Sequence, residues 1–371
     1  MSPSGGGGSA KMTAFVFKAR ILKKGRRGGI CRSSAWSEIF WPKSVQAVRH
    51  YAAECSIHSG DKKARQTPVN GYQHPNYTNS LIEFGSPREL PRSRGWILER
   101  QIPGFADRDA MGPYPLFACR DWSSLHVDLD EIKQELISVA LVTDPFGDYD
   151  EDYLRLCFND VVLPFKEHFV VDLNRRPIDS VISAHHRRNT EKVRQRVRVE
   201  RCAKPEEHID EWVGLYKNLI RQHKITGMAA FSRDSFAKQL CVPGIVAFRA
   251  RHEMITVGML LWYMQGNIGY YHLGAYSEFG YELRVSFALF SFAIEHFAAN
   301  GLRWLNLGAG AGVKGDSTDG LSRFKRGWST DTRTVYFCGR IFNHARYEEI
   351  LKASGLGFTK YFPAYRQGEF S

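Results

Sequence analysis

Two absences narrow this 371-residue chain before any motif is considered. The seven cysteines, at 31, 55, 119, 157, 202, 241 and 338, are odd in number and far apart, with no CxxC or Cys/His ligand spacing. A structural zinc site or a disulfide framework is therefore not expected, and a reducing, cytoplasmic setting is the simplest reading. No run approaches the ~20 apolar residues that a membrane span needs. The nearest, from Arg284 to Ala299, is short and carries Glu295 and His296. Ala14–Phe17 is too brief for the apolar region of a signal peptide. Acidic residues are scarce at the start: residues 1–50 hold ten Lys/Arg against Glu38 alone. Of the net charge of +12, residues 81–371 carry only about +2, so the basicity belongs mainly to a tail. A body so near neutrality argues against a nucleic-acid groove as its main feature.

What is present is a chain rich enough in Phe, Tyr and Trp to bury a substantial core. Residues 1–80 stand apart, with the Gly5–Gly8 run, the Lys23–Arg27 cluster and recurring Pro, Ser and Asn. They are expected to be a weakly ordered basic extension, solvated or touching an anionic surface. Residues 81–180 suggest a small α/β lobe, with a helix within Asp128–Ile137 and a buried strand at Ser138–Thr143. A helix at Tyr153–Phe158 and a strand at His168–Asp172 follow. Residues 181–371 carry a longer succession. A basic helix over 179–192, N-capped by Ser180 or Ser183, leads to a strand at Val197–Cys202 and an amphipathic helix after Pro205. A second helix spans Asp234–Leu240, and strands occupy Ile245–Arg249 and Thr256–Met264. Gln265-Gly-Asn267 reads as a tight hairpin turn and Ile268–Tyr276 as its return strand. A polar link over Ser277–Leu283 opens a helix that stops at Asn300-Gly301, and Arg303–Leu307 is the next strand. A strand–helix–strand unit of this kind places its strands parallel and a helix N-terminus beside their ends, which suits a phosphate-bearing ligand. A short helix, a strand at Thr334–Phe342 and a helix at Ala345–Ala353 complete the order.

That order, with Tyr270-Tyr-His-Leu-Gly-Ala-Tyr276, Gly280-Tyr-Glu-Leu-Arg284, Gly301-Leu-Arg-Trp-Leu-Asn-Leu-Gly308 and Gly320-Leu-Ser-Arg-Phe-Lys-Arg-Gly-Trp328, resembles the GNAT acyltransferase superfamily. More specifically it is similar to the Fem-type branch, in which two GNAT-like lobes share one chain. The resemblance implies an α/β fold of tandem lobes, mixed sheets flanked by helices, with a reduced lobe at 81–180 and a complete one at 181–371. It implies transfer of an acyl group to an amine. Fem proteins that build peptidoglycan carry a long helical arm used with a charged-tRNA donor. The short link between Val213–Leu219 and Ser235–Leu240 leaves no room for one. The expected donor is therefore acyl-CoA, a co-substrate rather than a permanently bound cofactor, and the acceptor an amine on a small molecule, sugar or peptide. Aminoacyl-tRNA as donor, or a non-catalytic lobe pair that binds a partner, are the alternatives.

Amide formation from a thioester needs a bound carrier, a neutral amine, a proton acceptor and donors for the oxyanion. By the resemblance, the backbone N–H groups near Arg284, Val285 and Ser286, with the Arg284 guanidinium, would hold the carrier's pyrophosphate. Glu282 and His272 are the candidate bases, although strand alternation equally makes His272 a packing residue. Tyr271 could return a proton to the leaving thiolate or simply line the pocket. Gly308 and Gly310, in Gly308-Ala-Gly-Ala-Gly312, fit neither a phosphate-loop nor a dinucleotide template. They suit close backbone approach where strands splay around a ligand. Lys325 would stabilise the oxyanion or grip an anionic group, unless it is a solvated lysine between two aromatics. The basic run His185–Arg188, with Lys192, Arg194, Arg196 and Arg198, is either an exposed face or a contact for an anionic donor. No cysteine or serine stands in an activating motif, so direct attack by the amine is expected.

Overall fold

The longest apolar runs of the chain become the middle of a sheet. The computed structural model describes residues 68–175, 177, 182–310, 319–356 and 359–369. Most of the expected extension, the Ser180 alternative and the end of the glycine run lie outside these residues. The strands are β1 (Ser86–Leu90), β2 (Gly95–Gln101), β3 (Arg108–Met111), β4 (Ser138–Val142), β5 (Val161–Asp172) and β6 (Arg198–Arg201). They continue with β7 (Ile245–His252), β8 (Ile255–Gln265), β9 (Ile268–Tyr276), β10 (Trp304–Asn306) and β11 (Asp331–Ile341). Together they make one mixed sheet in the order β1-β2-β3-β4-β11-β5-β10-β9-β8-β7-β6. The helices are α1 (Pro75–Asn79), α2 (Leu125–Ile132), α3 (Glu151–Cys157), α4 (Ala184–Arg194) and α5 (Ile209–His223). After them come α6 (Arg233–Gln239), α7 (Glu278–Leu283), α8 (Val285–Ala299), α9 (Gly320–Arg326) and α10 (His344–Ala353). None is long and apolar enough to cross a membrane.

The β8–β9 hairpin turns at Gly266, whose φ of +59° is open to glycine at no steric penalty. The polar link after β9 is itself a helical turn, α7, N-capped by the Ser277 hydroxyl on Gly280 N. α8 is apolar on all sides because it lies between the sheet and α4, and it ends where Gly301 takes φ +75°. The strands on either side of it, β9 and β10, are parallel. α5 and α6 cover the opposite face through Trp212, Leu215, Tyr216 and Phe236.

Order begins earlier than the composition indicates. Residues from Pro68 onward are described, and Tyr72 and Tyr77 bury their rings edge-on against each other and against Tyr263 of β8. Burial of two aromatic rings outweighs the Pro- and Asn-rich local sequence. The strands β1 to β3 also escape the sequence reading. Their residues are strongly charged and match one another across the sheet, as in the Arg88–Glu99 pair at 2.6 Å.

A boundary near residue 180 does not divide the sheet in two. β11 pairs antiparallel with both β4 and β5, so the end of the chain fills a gap in the first lobe. β10 then joins the lobes by pairing antiparallel with β5. Asp144, just after β4, adds a buried link by accepting from the Tyr270 hydroxyl at 2.9 Å and from Gln265 Nε2 at 3.2 Å. The last residues lock down through an ion pair sealed from water. Arg366 donates through Nε to Asp109 Oδ2 at 2.5 Å and through Nη2 to Oδ1 at 2.8 Å, and both side chains are buried. Arg100 also reaches Asp109 at 3.4 Å, so Arg366→Ala leaves the carboxylate a weaker partner and should destabilise by ~1.5–3 kcal/mol. The more exposed Arg346–Asp107 pair should matter less, because solvent screens it. Urea unfolding of the two alanine variants checks the ranking.

Candidate active site

β9 and β10 run side by side for only three residue pairs, Trp304↔Ile268, Leu305↔Gly269 and Asn306↔Tyr270. Beyond Asn306 the chain leaves β9 and follows β5: Leu307 N donates to Phe169 O at 2.8 Å, and Phe169 N donates to Gly308 O at 3.1 Å. Among the described residues, β9 has no strand partner on that side from Tyr271 onward, and a fork opens. Gly308 makes the departure with φ +71°, and a Cβ there would lie 3.2 Å from the Lys325 Nζ.

Lys325 enters the fork from α9. The Asp319 carboxylate caps that helix, accepting from Leu321 N and Ser322 N. Its far end is pinned by the start of α4. Ser183 N donates to Gly327 O at 3.0 Å, and His186 Nε2 meets Phe324 O at 2.8 Å. The Ser183 hydroxyl holds His186 Nδ1 at 2.7 Å, so Nε2 carries the donated proton and the ring is neutral. Burial drives its pKa down to about 4. The second residue of the supposed basic run is thus a core hydrogen-bonding residue that positions Lys325.

Lys325 is 5% exposed. Its Nζ donates to Ala309 O at 2.7 Å and lies 5.4 Å from the centre of the Tyr271 ring. Burial, reinforced by the charge of Lys166 and opposed by Asp319, pushes its pKa down to about 7. Beside it is His168, whose Nδ1 is 3.1 Å from Asn306 Oδ1. The same oxygen accepts from Gly308 N at 2.8 Å, so it is an acceptor to both. His168 therefore carries its proton on Nδ1 and keeps the lone pair on Nε2. Burial first, then Lys325, lowers its pKa to about 3. From Tyr271 a wall of hydroxylated rings continues: Tyr271 hydrogen-bonds Tyr276, which meets Tyr281 of α7 at 5.2 Å.

Of the residues singled out from sequence, Lys325, Tyr271 and Gly308 meet in the fork. Gly310 is adjacent, and a Cβ there would strike the Ser322 hydroxyl at 2.0 Å. Arg284, Val285 and Ser286 stand at the start of α8. Arg284 is exposed, has φ +60°, and donates one hydrogen bond to Asn189 Oδ1 at 3.0 Å. Among the described residues, no backbone carbonyl accepts from Val285 N or Ser286 N, and no side chain caps the helix. Glu282 is exposed on α7, and no hydrogen bond or ion pair joins it to Lys325, Tyr271 or His168. His272 points into the other layer, where Tyr72 OH lies 3.1 Å from Nδ1 and Gln239 Oε1 3.0 Å from Nε2. With both nitrogens engaged and its pKa lowered by burial to about 3, it is a packing residue. His168 and Asn306 are the site residues that the sequence reading missed. Their one signal was a polar side chain inside an apolar strand.

A sheet that splits beside a strand–helix–strand unit, with a lysine in the split, is a GNAT acyltransferase-like arrangement, a transferase fold. Residues 182–326 match the family described as Acetyltransferase (GNAT) domain. The chain carries a GNAT domain, and its two-lobed form is Fem-like. FemX is similar over 74% of this chain and 93% of its own, at 12% identity and a TM-score of 0.56. The C-terminal domain of a protein from Agrobacterium fabrum, assigned as lysylphosphatidylglycerol synthetase, covers 77% of this chain and 92% of its own (14% identity, TM-score 0.51). L-PGS from Bacillus licheniformis covers 79% of this chain and 100% of its own (15% identity, TM-score 0.50). No curated protein sequence matches the chain.

The lowered pKa of Lys325 makes stability depend on pH. An unfolded lysine keeps its proton up to about pH 10.4, whereas the folded one gives it up near 7. The penalty for burying the charge is fully present below pH 7 and fades as pH rises toward 10. Lys325→Met should therefore be more stable than wild type by ~1–3 kcal/mol at pH 7, with a flatter profile above it. Urea unfolding at several pH values reads both effects, and a variant less stable than wild type would remove the buried-cation account.

Proposed function

We propose that the chain transfers an acyl group to an amine in the fork between β9 and β10, with acyl-CoA as donor. The observation that carries this reading is the desolvated Lys325 ammonium facing the fork beside Tyr271. The amine nitrogen attacks the thioester carbonyl carbon, a C–N bond forms, and the carbonyl oxygen becomes an oxyanion. Lys325 stabilises that charge more strongly in a water-poor site than it would in solvent. Collapse breaks the C–S bond and expels the thiolate. A lysine that titrates near pH 7 serves both proton transfers: the ammonium protonates the sulfur, and the resulting amine takes the proton that the acceptor nitrogen sheds. His168, neutral and fixed by Asn306, offers its Nε2 lone pair beside that exchange. No covalent enzyme intermediate is required.

The uncapped start of α8 supports the choice of a carrier bearing phosphates. Two backbone N–H groups and the helix dipole meet there, and Arg284, whose guanidinium holds Asn189 Oδ1, stands at the cap position. Arg284 also holds a left-handed conformation that glycine adopts without strain. Arg284→Gly should then weaken donor binding while leaving the fold no less stable. Thermal unfolding with acetyl-CoA and longer acyl-CoAs provides the measurement. At a hundredfold excess over Kd the wild type should gain about 2.7 kcal/mol. No shift with any acyl-CoA, and identical behaviour of Arg284→Gly, would count against CoA.

A second reading keeps the site and changes the donor. One of the similar structures is a domain of a protein assigned as lysylphosphatidylglycerol synthetase, named for an aminoacylated lipid. With aminoacyl-tRNA as donor, affinity for RNA should fall steeply with salt. Titration of charged tRNA at two ionic strengths separates the readings, because CoA binding depends on salt far less.

A further inference from the structure

The β7–β8 hairpin is built against the usual chemistry of its turn. Its two central residues are Glu253 and Met254, and Glu253 takes φ +54°, where glycine or asparagine would be unstrained. Met254 at the tip is 81% exposed and Ile255 beside it 69%. Phe279 of α7, 41% exposed, meets the His252 ring of the same hairpin at 5.2 Å. The other exposed large apolar side chains, Ile82, Leu156, Leu163 and Tyr361, come from separate stretches of the chain. Among the described residues, Met254, Ile255 and Phe279 share this hairpin and the helix beside it.

One side of this tip is basic; on the other, Met254 and Arg251 line a shallow hollow with Asp210 and Glu211. His252 Nδ1 lies 2.8 Å from Arg196 O, and Arg284 donates to Asn189 of α4 at 3.0 Å. Those contacts tie the hairpin, α7 and the outer face of α4 into one surface. On it stand Arg188, Lys192, Arg196, Arg198, Arg251 and Arg284, against Glu191, Glu253, Glu278 and Glu282. Arg188, Lys192 and the Arg196 guanidinium make no hydrogen bond or ion pair among the described residues. The inner face of α4 is spent on packing, through His186, Thr190 and Val193. Its outer cations therefore serve no internal purpose.

We propose that this surface docks on an anionic lipid membrane. Met254, Ile255 and Phe279 enter the boundary between headgroups and acyl chains, while the flanking Arg and Lys side chains take the headgroup phosphates. The apolar tip decides the kind of partner. RNA would be met by aromatic stacking platforms, whereas two aliphatic side chains at a hairpin apex offer a base nothing to stack on and suit hydrocarbon. The inference is independent of the acyl-transfer reading, since docking needs no turnover.

Flotation of the full chain with phosphatidylcholine vesicles, with and without phosphatidylglycerol, tests it. The basic segment before Pro68 is present in every variant, so its own attraction for vesicles cancels in the comparison. Met254→Asp with Ile255→Asp should lower binding to phosphatidylglycerol vesicles about tenfold or more. Arg188→Glu with Lys192→Glu should do the same, with their residual binding less dependent on salt. Both pairs are exposed, and unchanged thermal unfolding confirms an intact fold. In a third variant, Ile255→Trp should show blue-shifted emission and quenching by brominated lipid. Unchanged flotation of both double variants, or an unquenched Ile255→Trp, overturns the proposal. An equal loss of tRNA binding in the hairpin variant would assign the surface to RNA and overturn it too. Loss of self-association instead of vesicle binding would assign it to a second copy.

Discussion

Burying one ammonium group imposes most of what is distinctive about the site. A cation taken from water loses its hydration and has to be repaid by fixed dipoles or release its proton. Lys325 does some of each. It donates to the Ala309 carbonyl, faces the negative ring of Tyr271, and still titrates near neutrality. That compromise holds only if α9 cannot swing the side chain out to solvent. The helix is accordingly clamped at both ends, by the Asp319 cap and by the hydrogen bonds from Ser183 and His186. A neutral His168 beside it avoids a second buried cation.

The same clamp ties the site to the architecture. β10 parts from β9 after three residue pairs while Leu307 stays bonded to Phe169 of β5, and β5 is held on its other edge by β11. The chain passes directly from α9 through the buried Trp328 into β11, with Thr330 N donating to Val170 O at 2.8 Å. The strand that completes the first lobe therefore also anchors the helix that carries Lys325. The two lobes meet at β10, which pairs with β9 on one edge and with β5 on the other.

Local signals were legible wherever neighbours in the chain decide the outcome. The turn at Gly266, the helix stop at Gly301, the Ser183 cap and the parallel pair around α8 all follow from residues close in sequence. Lys325 stood out through its flanking aromatics, Phe324 and Trp328. β1 to β3 stayed hidden because charged residues paired across strands interrupt their buried apolar ones, so no clean apolar period shows. The packed segment from Pro68 was masked by a turn-like composition that two buried tyrosines override.

Sequence alone determined that a helix N-terminus would follow β9 and that a lysine would sit between two aromatic residues. It also established that Tyr271 and His272 would point to opposite faces. Which of the two faces the fork was decided only by the fold, since alternation cannot rank them. His168 and Asn306 are 138 positions apart and meet only because β5 and β10 pair. The lowered pKa of Lys325 belongs to the same class. A turn answers to the dihedral preferences of a few adjacent residues, whereas desolvation is a sum over atoms that distant parts of the chain bring to one place.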